Sequence, residues 1–300
     1  MDSGQSATVR YSLFGNMVDP PTSSHDGVEF QNCRSGSYSI SGCDVFNIDG
    51  DCIDLNSSSV TIDSCRVWNA TDKGLSIGVG SGGGEPSSAQ ITGCIVSDCV
   101  TGVAVKDESS AQVVSTTVTE CDVGVRTYSK TSGYGPGDVS VVSSIFHLNG
   151  VPFSFEQGSN ALVEYCLTGS SEPWQGQGNI AGDPRFAAWE DGGCRLSWDS
   201  PCIDSGAPEL EDPDGTRSDM GAHFFPQVFE GLALNELQAV NDTTLADVYG
   251  EYDDWFELYN GTDYDCDLSW VYVSDDPSVL ELYQFPPGTV IPSGGYLVVW

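Results

Sequence analysis

Five side chains in the first half of the sequence have the types and spacing to do chemistry on a sugar: Asp51, Asp54, Lys73, Lys106 and Arg126. Paired carboxylates can serve as general acid and base, and neighbouring cations as a clamp for a charged substrate. A lyase needs a cation to neutralise a uronate carboxylate and a lysine or arginine to take the proton, and Lys106 and Arg126 are the candidates for that base. Asn56, Lys106, Tyr128, Lys130 and Tyr134 are the candidate ligand-binding residues around them. The chain has three lysines, Lys73, Lys106 and Lys130, and all three fall in this region. Asp and Lys are also ordinary turn and solubility residues on strand-rich surfaces, so a catalytically silent surface is the competing reading.

What must position these residues is a repeat. Cys43, Cys65, Cys94, Thr116, Ser144 and Cys166 occupy equivalent places, separated by 22, 29, 22, 28 and 22 residues. The frame around them returns as "SYSISGCDV", "SVTIDSCRV", "SAQITGCIV", "AQVVSTTV", "VSVVSSIF" and "ALVEYCLT", and a second burst follows as "CIDL", "GLSI", "GVAV", "GVRT" and "PFSF". A period near 22 built from short alternating runs and turns marks a solenoid whose coils bury their apolar face only by stacking. The expected fold over residues 1–177 is a right-handed parallel β-helix. Between the inward residues of the second burst, one outward stripe reads Glu29, Asp54, Ser76, Ala104, Arg126 and Ser154. A flanking stripe reads Gln31, Asn56, Gly78, Lys106, Tyr128 and Glu156. The insertions "VGSGGGEPS" and "SKTSGYGPG" leave from the same turn and could wall a groove over this face.

Forty-four acidic against ten basic residues give a net charge of −34, which repels phosphate backbones and anionic lipid. No Lys/Arg cluster and no apolar run of membrane-spanning length occurs, so neither nucleic acid nor membrane insertion is expected. The opening "MDSGQSATVR" lacks the apolar core of a secretion signal. Val9 already lies inside a repeat and "YLVVW" stops in mid-strand, which reads as a piece of a longer chain. The eleven cysteines lack C-x-x-C pairs and read as inward fillers in thiol ladders, while Cys194 and Cys202, in a loop-rich segment, are candidates for a bond.

Several segments resemble known families. "NIDGDCID" is similar to the N-T-D and G-D-D-C-I segments of polygalacturonases. The G-H-G and R-I-K motifs of that family are missing, and His25, His147 and His223 lie in other contexts. "DCIDLNSSSVTIDSCRVWNATDKGLSIG" and "GVAVKDES" resemble β-helices of bacterial secreted proteins that also carry a spore-coat-H-like kinase domain. That resemblance implies a kinase-like domain elsewhere in the same full-length chain, since no kinase motif occurs here. From residue 178, "GDPRF", "RLSWDSPCIDSGAP" and "DPDGTRSDMGA" are similar to segments that close bacterial surface β-helices, and 178–225 is the expected cap. Asp212, Asp214 and Asp219 are spaced so that oxygens could converge on calcium, though no Glu stands at the twelfth position of an EF-hand loop. Asp-Gly turn chemistry with Arg217 as partner is the alternative. "LNEL", "GEYDDWFELYN", "DLSWVYVSDD" and "FPPGTVIPSGGYLVVW" resemble the lamin tail domain, which implies an immunoglobulin-like sandwich over 226–300, incomplete at its end. Trp270 departs from the glycine usual after "DLS". Asp253, Asp254 and Glu257 form a local acidic cluster there.

The expected molecule is thus all-β, a solenoid followed by a sandwich. The first functional reading is a non-enzymatic extracellular or cell-surface bacterial scaffold that binds a polysaccharide or another surface component, with no cofactor or with Ca2+. The alternative is a carbohydrate-active enzyme, a polysaccharide lyase or glycoside hydrolase, anchored by its second domain. They are told apart by whether Asp51, Asp54, Lys73, Lys106 and Arg126 converge in one groove or scatter along a ridge.

Overall fold

The computed structural model describes residues 6–17, 25–187, 194–227, 231–269 and 271–300. The chain divides into two compact units, the first comprising Met1–Arg185, Ser200–Leu210 and Arg217–Phe224. This unit is a right-handed parallel β-helix of about six turns. Its runs are too short and too strictly alternating for helix, and Val, Ile and Thr at inward positions suit a pleated surface. Each coil lays one strand on each of three faces. The first face is a seven-stranded sheet running from Ala7–Arg10 through Tyr38–Ser41 and Ser59–Asp63 to Ala161–Glu164. The second begins at Leu13–Met17 and Asp44–Ile48, and the third at Val28–Gln31 and Ile53–Asn56. In two coils the second and third faces are joined in one long bent strand, Arg66–Gly78 and Ile95–Lys106. All pairing within these sheets is parallel and one coil apart.

The repeat read from sequence is the observed register. The six marker positions are fully buried and stack through backbone bonds, as in Ile95 N–H to Cys65 O and Thr117 N–H to Cys94 O. Ile40, Ile62, Ile91, Val113, Val141 and Val163 follow one another up the column and belong to one apolar core. At one corner the chain turns through left-handed residues Asn16, Asn47 and Asn69, and their side chains form a ladder at 2.8 and 2.7 Å. Asparagine tolerates this conformation better than other branched or bulky residues. The marker cysteines are free thiols in the core, as is Cys202, so the bond expected between Cys194 and Cys202 does not form. Within this unit Trp174 meets Phe153 edge-on with ring centroids 5.0 Å apart, and Ala207, Gly221 and Ala222 hydrogen-bond to Ser143 and Thr117.

The second unit contains small antiparallel sheets. Leu232–Gln238, Trp255–Asn260 and Tyr296–Val299 form one, and Cys266–Asp267 with Val290–Ile291 and Tyr272–Val273 with Tyr283–Gln284 form two more. Leu258, Leu268, Phe285, Ile291 and Val299 are its core. Trp270, where the sequence departs from the lamin-tail pattern, lies outside the described residues.

Candidate active site

On the third face, the outward stripe read from the sequence is realised residue for residue: Glu29 pairs with Asp54, Asp54 with Ser76, Ser76 with Ala104, Ala104 with Arg126, and Arg126 with Ser154. Over its first coils lies a polar pocket of about 280 Å³ that gathers Asp51, Asp54, Asn56, Lys73, Lys106 and Lys130. Every lysine of the chain therefore lines one cavity. Four of the five candidate catalytic residues converge. Arg126 does not line the pocket; it is exposed, with its guanidinium 4.9 Å from the centre of the Tyr128 ring.

The pocket is held by hydrogen bonds between successive coils. Asp26 accepts the Asp51 N–H at 2.9 Å. Asp51 in turn accepts both the backbone N–H and the ammonium of Lys73, each at 3.1 Å. Asp72 completes the grip on Lys73 from its exposed side. Asn56 donates to Asp54 Oδ2 at 2.6 Å and to Glu29 at 3.0 Å. Among the described residues, buried Asp54 Oδ1 has no hydrogen-bond partner. Gly50 is required here, because a Cβ at that position would meet Asp26 Oδ1 at 2.8 Å and His25 O at 2.6 Å.

The lysines differ in kind. Burial alone would lower the Lys73 pKa, but the carboxylates of Asp72 and Asp51 outweigh it and raise the value above the ordinary one. Lys106 is 3% exposed, and burial lowers its pKa; Asp54 opposes the shift, while the charges of Lys130 and Lys73 reinforce it. Its side chain runs back along the solenoid, over Gly78, to donate to Ser76 Oγ at 2.7 Å. A Cβ on Gly78 would meet Lys106 Cε at 2.6 Å, so the missing side chain provides the seat. A buried amine with few charge partners and a depressed pKa has the properties of a general base, which Lys73, locked between carboxylates, lacks.

Both insertions contribute to the wall, through Gly80 and Ser81 from one and Lys130 and Thr131 from the other. They are tied together by Tyr134, whose hydroxyl accepts the Gly84 N–H and donates to Gly84 O. Tyr134 thus serves as a strut and does not line the cavity. Asp107, fully buried, accepts the N–H groups of Lys130 and Thr131 at 2.7 Å and fixes the second insertion to its coil. Asp26 and Asp72 were not singled out from the sequence. Asp26 was findable: it precedes the burst "GVEF" as Asp51 precedes "CIDL". Its carboxyl is raised by loss of surrounding water and by the charges of Asp51, Asp54 and Glu29, against a lowering contribution from the Asp51 N–H.

The candidate calcium ligands also hold their own loops. Asp214 accepts from Thr216 and Gln227, and Asp219 accepts the Asp204 N–H at 2.7 Å. Among the described residues, the carboxylates whose oxygens all lie within 4.8 Å of one another are Asp247, Glu251 and Asp253, in the second unit. Asp247 there accepts the Tyr249 and Glu251 N–H groups of its own turn.

Residues 1–135 match the family model of the right handed beta helix region. No curated protein matches the chain. Among solved structures the chain is similar to the pectate lyase Pel9A, at 16% sequence identity and a TM-score of 0.46, over 72% of this chain. The chain spans 59% of the length of that structure.

Proposed function

We propose that the pocket cleaves an acidic, 4-linked polysaccharide by β-elimination, with Lys106 as the base. The observation that carries this reading is the 3% exposure and lowered pKa of Lys106 in a cavity that also holds the chain's two other lysines. A neutral amine takes the proton at C5 of a uronate, α to its carboxylate. The electron pair left on C5 forms the C4=C5 double bond, the C4–O4 bond breaks, and the departing oxygen takes a proton from solvent, so no water is consumed. The step needs the uronate carboxylate neutralised, and the Lys130 ammonium at the pocket rim is placed to pair with it. Asp54 Oδ1 awaits a partner, and a substrate hydroxyl or a hard cation such as Ca2+ fits it. Oxygens of Asp26, Asp51 and Asp54 are too dispersed to enclose an ion by themselves, so water and substrate would complete its shell. In this reading the protein acts outside the cell, where such polymers lie. The second unit, lamin-tail-like in sequence, serves as its anchor.

The test is incubation with uronic acid polymers, with and without a chelator, following the ultraviolet absorbance of unsaturated ends. Unsaturated product that disappears in Lys106→Met is the expected result. Its rate should rise with pH through a limb below the ordinary lysine range, because the base works only when neutral and its pKa is lowered. New reducing ends without unsaturation would replace elimination by hydrolysis on Asp51 and Asp54. Binding without turnover would restore the scaffold reading.

A further inference from the structure

Resting on the acidic-polysaccharide reading, we infer that Arg126, laid over Tyr128, is a separate carboxylate subsite for a sugar residue about two places along the polymer from the one at Lys106. Arg126 stands on the same stripe as Asp54 and Ser76, two coils beyond Ser76, where the Lys106 ammonium rests. Coils are spaced like strands of a sheet, so the separation along the axis is about 10 Å. A pyranose residue in an extended 4-linked chain advances by about one coil, so a polymer lying along the face presents successive sugars to successive coils.

Arg126 is unpaired among the described residues of a strongly acidic chain. Among forty-four acidic residues, the exposed guanidinium has no carboxylate within 4.0 Å and makes no hydrogen bond among the described residues. Two other arginines are engaged: Arg66 by both oxygens of Asp44, and Arg34 by the carbonyls of Ser57 and Pro86. Tyr128 orients Arg126 by stacking, leaving the edge of the guanidinium fork free for a two-point bond to a carboxylate. The half-buried phenol of Tyr128 also lies within electrostatic reach of Lys73, Asp72 and Asp51, which places the stacked pair on the flank of the pocket. The five residues whose convergence or scatter tells the two readings apart thus divide into a reacting pocket and a second, downstream contact.

The experiment is calorimetric binding of oligogalacturonides of two to six residues, and of their methyl esters, to the full chain and to Arg126→Gln, with turnover measured in parallel. The intact protein should gain about ten-fold in affinity once the oligomer is long enough to reach Arg126. The gain should be absent for methyl esters, lost in Arg126→Gln, and only partly kept in Arg126→Lys. Turnover with a length step unchanged in Arg126→Gln overturns the subsite and leaves the lyase reading standing. A length step without turnover does the reverse, and absence of any binding overturns both.

Discussion

Two residues of one type, one coil apart, are given opposite properties by their neighbours. Lys73 is 6% exposed and bonded to Asp51, itself 7% exposed, whereas Lys106 is buried against a hydroxyl. Lys73→Met should therefore cost about 3–5 kcal/mol, because it strands the Asp51 carboxylate, while Lys106→Met should be neutral or stabilising by about 1 kcal/mol. Urea melts of the two variants check this, and equal destabilisation would refute the asymmetry. The sign of the pH dependence follows from the lowered Lys106 pKa. Between its folded and ordinary values the unfolded chain binds more protons at this site, so its contribution to stability rises with pH. Lys106→Met should remove that rise along with turnover. That three lysines crowd one face was visible in the spacing of the repeat. Which of them loses its charge most readily was not, since that depends on distances to Asp51, Asp72 and Asp54 across different coils.

At the scale of the element, the corner where the insertions re-enter is held by a ladder of buried hydroxyls. Ser58 Oγ accepts the Cys33 N–H at 3.0 Å, Ser87 Oγ accepts the Ser58 N–H at 2.9 Å, and Ser109 Oγ accepts the Ser87 N–H at 2.9 Å. These serines are 0–2% exposed, so the Ser58 and Ser87 N–H groups, each held by the next serine, have no water to turn to. Ser87→Ala should cost about 1–3 kcal/mol by orphaning the Ser58 N–H, whereas the exposed neighbour Ser88→Ala should cost little. A denaturation midpoint unchanged in Ser87→Ala would mean that the corner relaxes without it. The insertions lengthen two intervals of the repeat from 22 to 29 and 28 residues without disturbing register, because the extra residues leave after one strand and this corner resumes the next coil.

At the scale of the molecule, a net charge of −34 opposes the approach of a polyanion, even though the pocket gathers all three lysines of the chain among its five carboxylates. The screening length falls from about 30 Å at 0.01 M salt to about 8 Å at 0.15 M. Over that range the KM for an acidic polysaccharide should therefore fall, as long-range repulsion is screened while the buried contacts of the pocket are not. Steady-state kinetics at the two salt concentrations measures it, and a KM that climbs with salt would show local attraction to be the dominant field.

The sequence by itself determined the stack. In a solenoid, register is one-dimensional: a period of 22 states which residues face inward and which succeed one another on the outside, and so the order Glu29, Asp54, Ser76, Ala104, Arg126, Ser154 was readable in advance. It also carried the thiol ladder, since Cys, Thr and Ser exchange at one inward position. Tertiary structure decided what long side chains do between coils. Lys106 turns back over Gly78 to a hydroxyl, Arg126 folds over Tyr128, and Tyr134 spends its hydroxyl on Gly84. A side chain several bonds long can reach a coil on either side of its own, and which one it takes is settled by the space and charge that neighbouring coils and insertions leave around it, quantities no single repeat contains.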